Sequence, residues 1–475
     1  MSSIDVIVKR YASNEMVEIF SQERRALLWR DLWIALAEAE NELGLGVTEA
    51  QIDELKKARK KINFEAIEKY EAKVRHDVMA HVKAYGDVAP KAAGIIHLGA
   101  TSAYVTDNAD LVMMKEGMEL LLGKIACVIS NLSDFAKKKK DIPTLAYTHF
   151  QAAQPTTVGK RACLWIQNFL MDLSQLEFEL EELRFHGVKG ATGTQDSFLK
   201  LFNGDKKKVL QVDQKVMKKM GFNKMFMVTG QTYPRKVDSR ILGALASVAE
   251  SASKFANDLR LLQAIHEMEE PMEADQIGSS AMPYKRNPMR SERICSLARY
   301  VMNLEHNARE TAANHWFERT LDDSANRRIV IPHAFLLTDA TLDLVNNVVV
   351  NMKVHEGVIN QNMDRELPFL QTEEIMMSAV SEGGDRQKLH ESIREHAFEV
   401  LKNMREKGKP NDLLQRLRDD KAFDKVPPKL LVKTDAKRLT GMASDQVDLF
   451  IDEFLPGLRK KYKDSLQQAK PKIRV

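Results

Sequence analysis

Residues 241–262 read ILGALASVAESASKFANDLRLL, and Ile241, Leu245, Val248, Ala252, Phe255, Leu259 and Leu262 recur along them in strict 3–4 spacing. That is the period of a helix with one buried stripe. Two more segments share it. Leu111, Met114, Met118, Leu121, Ile125, Val128, Leu132 and Phe135 form one seam, and Ala162, Ile166, Phe169, Leu173, Leu176, Leu180 and Leu183 form another. Seams of this kind fit long helices packed at shallow angles in a bundle. Period-2 alternation is scarce, so the fold class read from the pattern is all-α, with no large sheet. Each helix would span on the order of 35–40 Å at about 1.5 Å per residue. Helices that long outrun one compact domain, so bundle packing is expected between subunits as well as within one.

Breaks in the pattern divide the chain. Gly86, Pro90, Gly94 and Gly99 fall within 84–107, Pro143 and Pro155 within 141–157, and Gly187, Gly190 and Gly193 within 187–194. Residues 318–332 read as a charged, polar connection, and Gly383-Gly384 interrupts a region of shorter, less regular helices. The organisation expected is an N-terminal helical domain over 1–101, a central long-helix bundle over 102–354 and a C-terminal helical domain over 355–475. With 475 residues, 44% hydrophobic and a net charge of +4, the chain can bury a large core and lacks the basic excess of a dedicated nucleic-acid binder. The run Lys137–Lys140 reads as a solvent-facing helix C-terminus that complements the dipole. The three cysteines, Cys127, Cys163 and Cys295, are odd in number and far apart, which suits reduced thiols in the cytosol. The start, Met1-Ser2-Ser3-Ile4-Asp5, has no signal pattern, and Lys472-Ile473-Arg474-Val475 is no retention or peroxisomal address. No uninterrupted apolar run reaches the ~20 residues of a membrane span.

The chemistry is concentrated at the breaks. No His-Glu-x-x-His or Cys-x-x-Cys pattern and no phosphate-binding Gly-x-x-x-x-Gly-Lys loop occurs, so neither a zinc site nor an ATP-hydrolysing engine is expected. Five polar clusters remain: Arg75-His76-Asp77, Thr101-Ser102, Thr148-His149-Phe150-Gln151, the stretch 278–288, and 316–328. The stretch Gly278-Ser279-Ser280-Ala281-Met282-Pro283-Tyr284-Lys285-Arg286-Asn287-Pro288 cannot be helical throughout, because its two prolines remove donors and restrict the residues before them. It reads as a mobile loop on a rigid helical scaffold, where catalytic residues often lie.

That stretch resembles the signature loop of the fumarase/aspartase superfamily, Gly-Ser-Ser-x-Met-Pro-x-Lys-x-Asn-Pro, at every fixed position. Four further strings resemble the adenylosuccinate lyase family in its animal-type form: 75–81 (RHDVMAH), 101–110 (TSAYVTDNAD), 148–151 (THFQ) and 321–328 (LDDSANRR). The resemblance covers nearly the whole chain, its motifs in order. It implies a three-domain fold whose central helices build a homotetramer core, with each active site assembled from three subunits. The reaction it implies is β-elimination of fumarate from adenylosuccinate and from succinylaminoimidazole carboxamide ribotide, without cofactor or metal, in the cytoplasm. Nucleotides and fumarate would be its ligands, with no nucleic acid or membrane partner.

By the same resemblance Ser279 is the general base, with Ser280 its competitor, and His149 is the general acid. Lys285 either stabilises the Ser279 anion or binds a substrate carboxylate. Glu292 orients His149, or serves as a first-turn helix residue. His76 completes the catalytic set near the substrate phosphate. Substrate-binding roles fall on Arg10, Tyr11, Arg75, His76, Asp77, Thr101, Ser102, Thr148, Gln231, Asn287, Arg293, Arg319, Ser324 and Arg328. Rival readings are a sister lyase acting on a substrate without a nucleotide phosphate, a non-catalytic crystallin-like relative, and a helical interaction scaffold.

Overall fold

A computed structural model describes residues 6–273, 275–468 and 473 of the chain. The terminal residues Met1–Asp5, Lys472, Arg474 and Val475, read above for signals, lie outside the described residues. The elements that position the site are α1 (Gln22–Glu42), α2 (Phe64–Val74), α3 (Asp77–Val88), α4 (Ser102–Lys138), the strands β1 (Pro143–Thr148) and β2 (Gln151–Thr157), α5 (Val158–Glu181), α6 (Lys236–Ala264), α7 (Met289–Ala313), α8 (Asp322–Asn351) and α9 (Ala443–Lys461).

The three seams become α4, α5 and α6. Every seam residue is buried except Phe135 and Leu180, which are half-buried. α7 and α8 complete the bundle, with α6 against α7 and α8 against both α4 and α7. α8 shows no seam because it is apolar on nearly all sides, as a central helix must be. It is long and apolar enough by composition to cross a membrane, yet 78% of its apolar stretch is buried inside the bundle.

Three local expectations are corrected. First, residues 141–157 are a β-hairpin, with Pro143 paired to Thr157 and Thr148 to Gln151. Its irregularity between Leu145 and Tyr147 breaks the period-2 signal that would have announced it. Second, the connection expected over 318–332 ends at Leu321, where α8 begins. The acidic pair Asp322 and Asp323 fills its first turn, a favourable place for negative charge, and Pro332 is carried inside the helix. Third, the lysine run does not simply face solvent. Lys137 pairs with Asp452, Lys140 with Asp448 and Lys139 with Glu356, so the run clasps α9 against the end of α4.

The C-terminal third divides between two cores. Ile375, Leu389, Val400, Leu413 and Phe423 pack among themselves, whereas Val447, Ile451 and Leu455 of α9 join the main core against α4 and α5.

One core residue has a visible cost. Glu40 in α1 is 0% exposed, and neither carboxylate oxygen has a hydrogen-bond partner. Burial pushes its carboxyl up to about 8, so the folded chain holds this proton through neutral pH. The folded state then binds more protons than the unfolded state between the ordinary glutamate range and about pH 8, and stability falls as pH rises through that window. Glu40→Gln, a neutral isostere, should flatten this alkaline decline in a series of thermal melts from pH 5 to pH 9. An undiminished decline in the variant would assign it to other groups.

Candidate functional site

A polar cavity of about 740 Å³ lies where the starts of α3, α4 and α8 and the residues before α6 converge. Nine of the residues expected at the site line it: Arg75, His76, Asp77, Thr101, Ser102, Gln231, Arg319, Ser324 and Arg328.

Most are delivered by helix ends, with Gln231 and Arg319 in the segments that lead into α6 and α8. Arg75 ends α2 in the left-handed conformation, at φ +55°, an uncommon one for a residue with a Cβ. The turn presents the next two residues as the start of α3. His76 caps that helix, its Nδ1 accepting from the Met79 N–H at 3.4 Å. A neutral His76 therefore carries its proton on Nε2, which faces Ser102 Oγ at 3.3 Å. Asp77 is ion-paired with Arg328. Burial alone would raise the Asp77 carboxyl, but the Arg328 guanidinium outweighs it and holds the group below the usual carboxylate range. Thr101 and Ser102 open α4, and Thr101 makes no side-chain cap. The first N–H groups of that helix have no intrahelical acceptor and favour a negative charge.

Beneath the cavity lies a buried ionic network that the sequence reading did not single out. Arg235 donates through both terminal nitrogens to Asp107, at 3.0 and 3.1 Å, and through Nε to Asp323 at 2.7 Å. Arg319 donates to the same Asp323, at 2.9 and 3.0 Å. Arg327 donates to Asp238 at 2.7 Å and to the Tyr233 hydroxyl, which in turn donates to Asp238 at 2.6 Å. Burial would raise the Asp107 carboxyl, yet the Arg235 and Arg327 cations hold it below its ordinary range. Arg319 had a role from the sequence, and Asp107, Asp323 and Arg327 fall within the quoted strings; the signal for Arg235 was an arginine and a proline directly ahead of a heptad seam, in Tyr233-Pro234-Arg235.

The other expected residues do not reach this cavity within one chain. Thr148 ends β1, and His149 and Phe150 form the two-residue hairpin turn at φ +53° and +58°, all three exposed. Positive φ at both central positions is the primed turn that matches strand twist, normally filled by Asn-Gly. Two bulky residues there store strain while projecting the imidazole into solvent.

The 278–288 loop is held by its own backbone. The Asn287 side chain donates to the Gly278 carbonyl at 2.7 Å. A Cβ at Gly278 would lie 2.2 Å from the Lys285 carbonyl oxygen, so only glycine fits. Ser279 Oγ accepts from the N–H groups of Ala281 and Met282, at 3.3 and 3.1 Å. Lys285 is exposed and, among the described residues, forms no ion pair. Glu292 and Arg293 lie in the first turn of α7, with Glu292 exposed and Arg293 half-buried. Arg10, exposed, and Tyr11, half-buried, lie in the short turn Ile7–Tyr11 before Ser13, whose N–H donates to Asp339 of α8 at 2.8 Å.

α6 sets the separation. Arg235 precedes its first residue, while Gln263 near its last donates to the Arg286 carbonyl in the loop at 3.1 Å. Thr144 of the hairpin donates to Glu267, just past the same end, at 3.2 Å. Twenty-eight residues of helix at about 1.5 Å each put roughly 40 Å between the cavity and the end of α6 that meets the loop and the hairpin.

Comparison with known proteins fits this arrangement. Among solved structures, a fumarate lyase from Mesorhizobium superposes with a TM-score of 0.80 at 22% identity, covering 94% of this chain and 99% of its own. The 3-carboxy-cis,cis-muconate lactonizing enzyme from Pseudomonas putida does so with a TM-score of 0.81 at 20% identity, covering 96% and 99%. The family profile described as "Lyase" matches residues 9–303, so the fold is the helical one of the fumarase/aspartase lyases. The profile "Adenylosuccinate lyase C-terminus" matches residues 368–450. Curated adenylosuccinate lyases from Schistosoma mansoni and Schizosaccharomyces pombe are each 48% identical, the first over 97% of this chain and 96% of its own length, the second over 99% and 98%. The chain belongs to the adenylosuccinate lyase family.

Two substitutions test the geometry. Arg235→Met leaves Asp107 and Asp323 buried without their shared cation, and should cost about 3–5 kcal/mol in denaturant unfolding. Gly278→Ala should abolish turnover while shifting the thermal midpoint little, because the loop lies outside the core. Wild-type turnover in Gly278→Ala would mean the loop backbone is not held as described.

Proposed function

We propose that the protein eliminates fumarate from adenylosuccinate, giving AMP, and from succinylaminoimidazole carboxamide ribotide, giving its carboxamide, in purine nucleotide biosynthesis. The observation that carries this reading is the convergence of Arg75, His76, Thr101, Ser102, Arg319, Ser324 and Arg328 on one cavity, in a chain of this family. The substrate bears a phosphate and two carboxylates. Guanidiniums, hydroxyls and an open helix start are the groups that bind such anions.

In the proposed mechanism Ser279 removes a proton from the succinyl carbon next to a carboxylate. A serine hydroxyl is a poor base unless its anion is stabilised. The Ala281 and Met282 N–H groups already point at Ser279 Oγ and supply part of that stabilisation. Among the described residues Ser280 receives no such pair, which favours Ser279 over its neighbour. Lys285 balances the charge that develops on the carboxylate or on the serine. His149 protonates the departing nitrogen, an imidazole being able to hold and release a proton near neutral pH. Glu292 supports the histidine, Asn287 shapes the loop, and Thr148, Arg10, Tyr11, Asp77, Gln231 and Arg293 complete the substrate shell.

The working unit in this reading is a homotetramer in the cytoplasm whose sites combine a cavity, a hairpin and a loop from different subunits. Two features support it. The length of α6 keeps these parts apart within one chain. In addition, Leu164, Met171 and Phe178 of α5 repeat every seven residues and stay 51%, 67% and 54% exposed, an apolar stripe suited to another long helix. Small molecules and further copies of the chain are the partners, not nucleic acid or membrane.

Purified protein should consume adenylosuccinate, followed by ultraviolet absorbance, with stoichiometric AMP and fumarate, and Ser279→Ala should abolish the change. Mixing Ser279→Ala with His149→Ala protein under exchange conditions should restore up to about a quarter of wild-type activity, as expected when one site in four draws both native residues. No recovery after demonstrated subunit exchange would overturn site sharing. No turnover by the wild type would overturn the assignment and turn attention to argininosuccinate.

A further inference from the structure

Gln231 is held at the cavity through both its backbone and its side chain. Its backbone N–H donates to the Glu318 carbonyl at 3.0 Å, and its side-chain Nε2 donates to the Ala191 carbonyl at 3.0 Å. The amide is thereby oriented: one N–H of Nε2 is held by the protein, and the second N–H and Oε1 are left for a ligand. The braces come from two loops, 187–195 and 315–320, and both meet the 229–232 segment more closely than a side chain would allow. A Cβ at Gly193 would sit 1.9 Å from the Thr229 carbonyl oxygen, and one at Gly230 would sit 2.6 Å from the Glu318 carbonyl oxygen. Two histidines flank the segment, His186 Nε2 facing Thr229 Oγ1 at 3.4 Å and His315 Nε2 facing Thr232 Oγ1 at 3.2 Å. Burial lowers both imidazoles, His186 to about 4, so they act as neutral spacers and not as charges.

The 187–195 loop has its own anchor. Lys189 is 2% exposed, and its ammonium donates to Asp213 at 2.5 Å. Asp213 is 0% exposed and also accepts from the Val188 N–H at 2.6 Å and from Gln195 Nε2 at 3.0 Å. Buried Asn108 of α4 accepts from the His186 N–H and donates to the Gly187 carbonyl, each at 3.0 Å. None of Lys189, Gly193 and Asp213 lines the cavity. A buried ion pair, two glycine close approaches and a side-chain tether are more than a surface loop needs in order to stay folded.

We propose that the 187–195 loop is a positioning element: the Lys189–Asp213 pair and the Gly193 contact hold the Ala191 carbonyl so that Gln231 presents its amide, Oε1 and the second N–H, in one fixed orientation to a polar group on the substrate. Lys189, Gly193 and Asp213 are positioning residues acting through Gln231. The proposal rests on the lyase reading above and deepens it. It assigns the loop a part in substrate selection, since an amide fixed in one orientation favours a ligand whose polar groups match it.

The test is a double-mutant cycle on adenylosuccinate turnover. Gly193→Ala should raise KM about tenfold with a smaller change in kcat, and Gln231→Met should do at least as much. The double variant should be no worse than Gln231→Met alone, because the loop has nothing left to position. Lys189→Met, which keeps chain length and lets Asp213 protonate, gives a second cycle should Gly193→Ala fold poorly; assembly and thermal midpoint are measured beside each. Multiplying losses in an active, assembled protein would overturn the positioning role and leave the lyase assignment standing. An inactive wild type would overturn both.

Discussion

Arg235 is the constraint on which the cavity depends. It sits where α4, α6 and α8 meet, and its one guanidinium spans Asp107 of α4 and Asp323 of α8. Burying three charges is costly unless every one is met, and here each carboxylate is met more than once. That requirement fixes the relative height of the three helix starts, and with it the spacing of Ser102, Arg319 and Arg328 across the cavity. Arg319 and Arg328, at the opening, are each held by an acid, Asp323 and Asp77 respectively.

The second constraint is length. α6 runs unbroken from the cavity to the signature loop, so within one chain the two lie a helix length apart. A long helix is a rigid spacer, and its seam residues are all consumed in the core. The stripe on α5 and the strained His149–Phe150 turn are by contrast exposed, outside that core. The loops around Gln231 show the opposite economy, spending buried charge and two glycines on the orientation of a single amide.

Much of this was legible in residue order. The 3–4 spacing located α4, α5 and α6 because burial on one face leaves a periodic trace, and the prolines and glycines marked where those helices stop. The motif strings named most of the cavity lining. The hairpin at 143–157 was not legible, since its bulge and its prolines erase alternation. Nor was the start of α8 at Asp322, because charged first-turn residues look like a polar connection until the helix dipole is considered. The lysine run gave its helix end but not its partners, Asp448 and Asp452, which lie some three hundred residues further on.

The sequence by itself determined the all-α class, the long seams, the family and the identity of the groups fit for elimination chemistry, because these are local patterns or strings. Tertiary structure alone decided which of those groups share a cavity and which lie a helix length away. It also decided that Arg235 is a keystone and not a surface charge, and that Ser279 receives two backbone donors. Such facts depend on contacts between residues far apart in the chain, and on burial, which converts an ordinary arginine, histidine or glutamate into a group whose charge and orientation the fold must answer for.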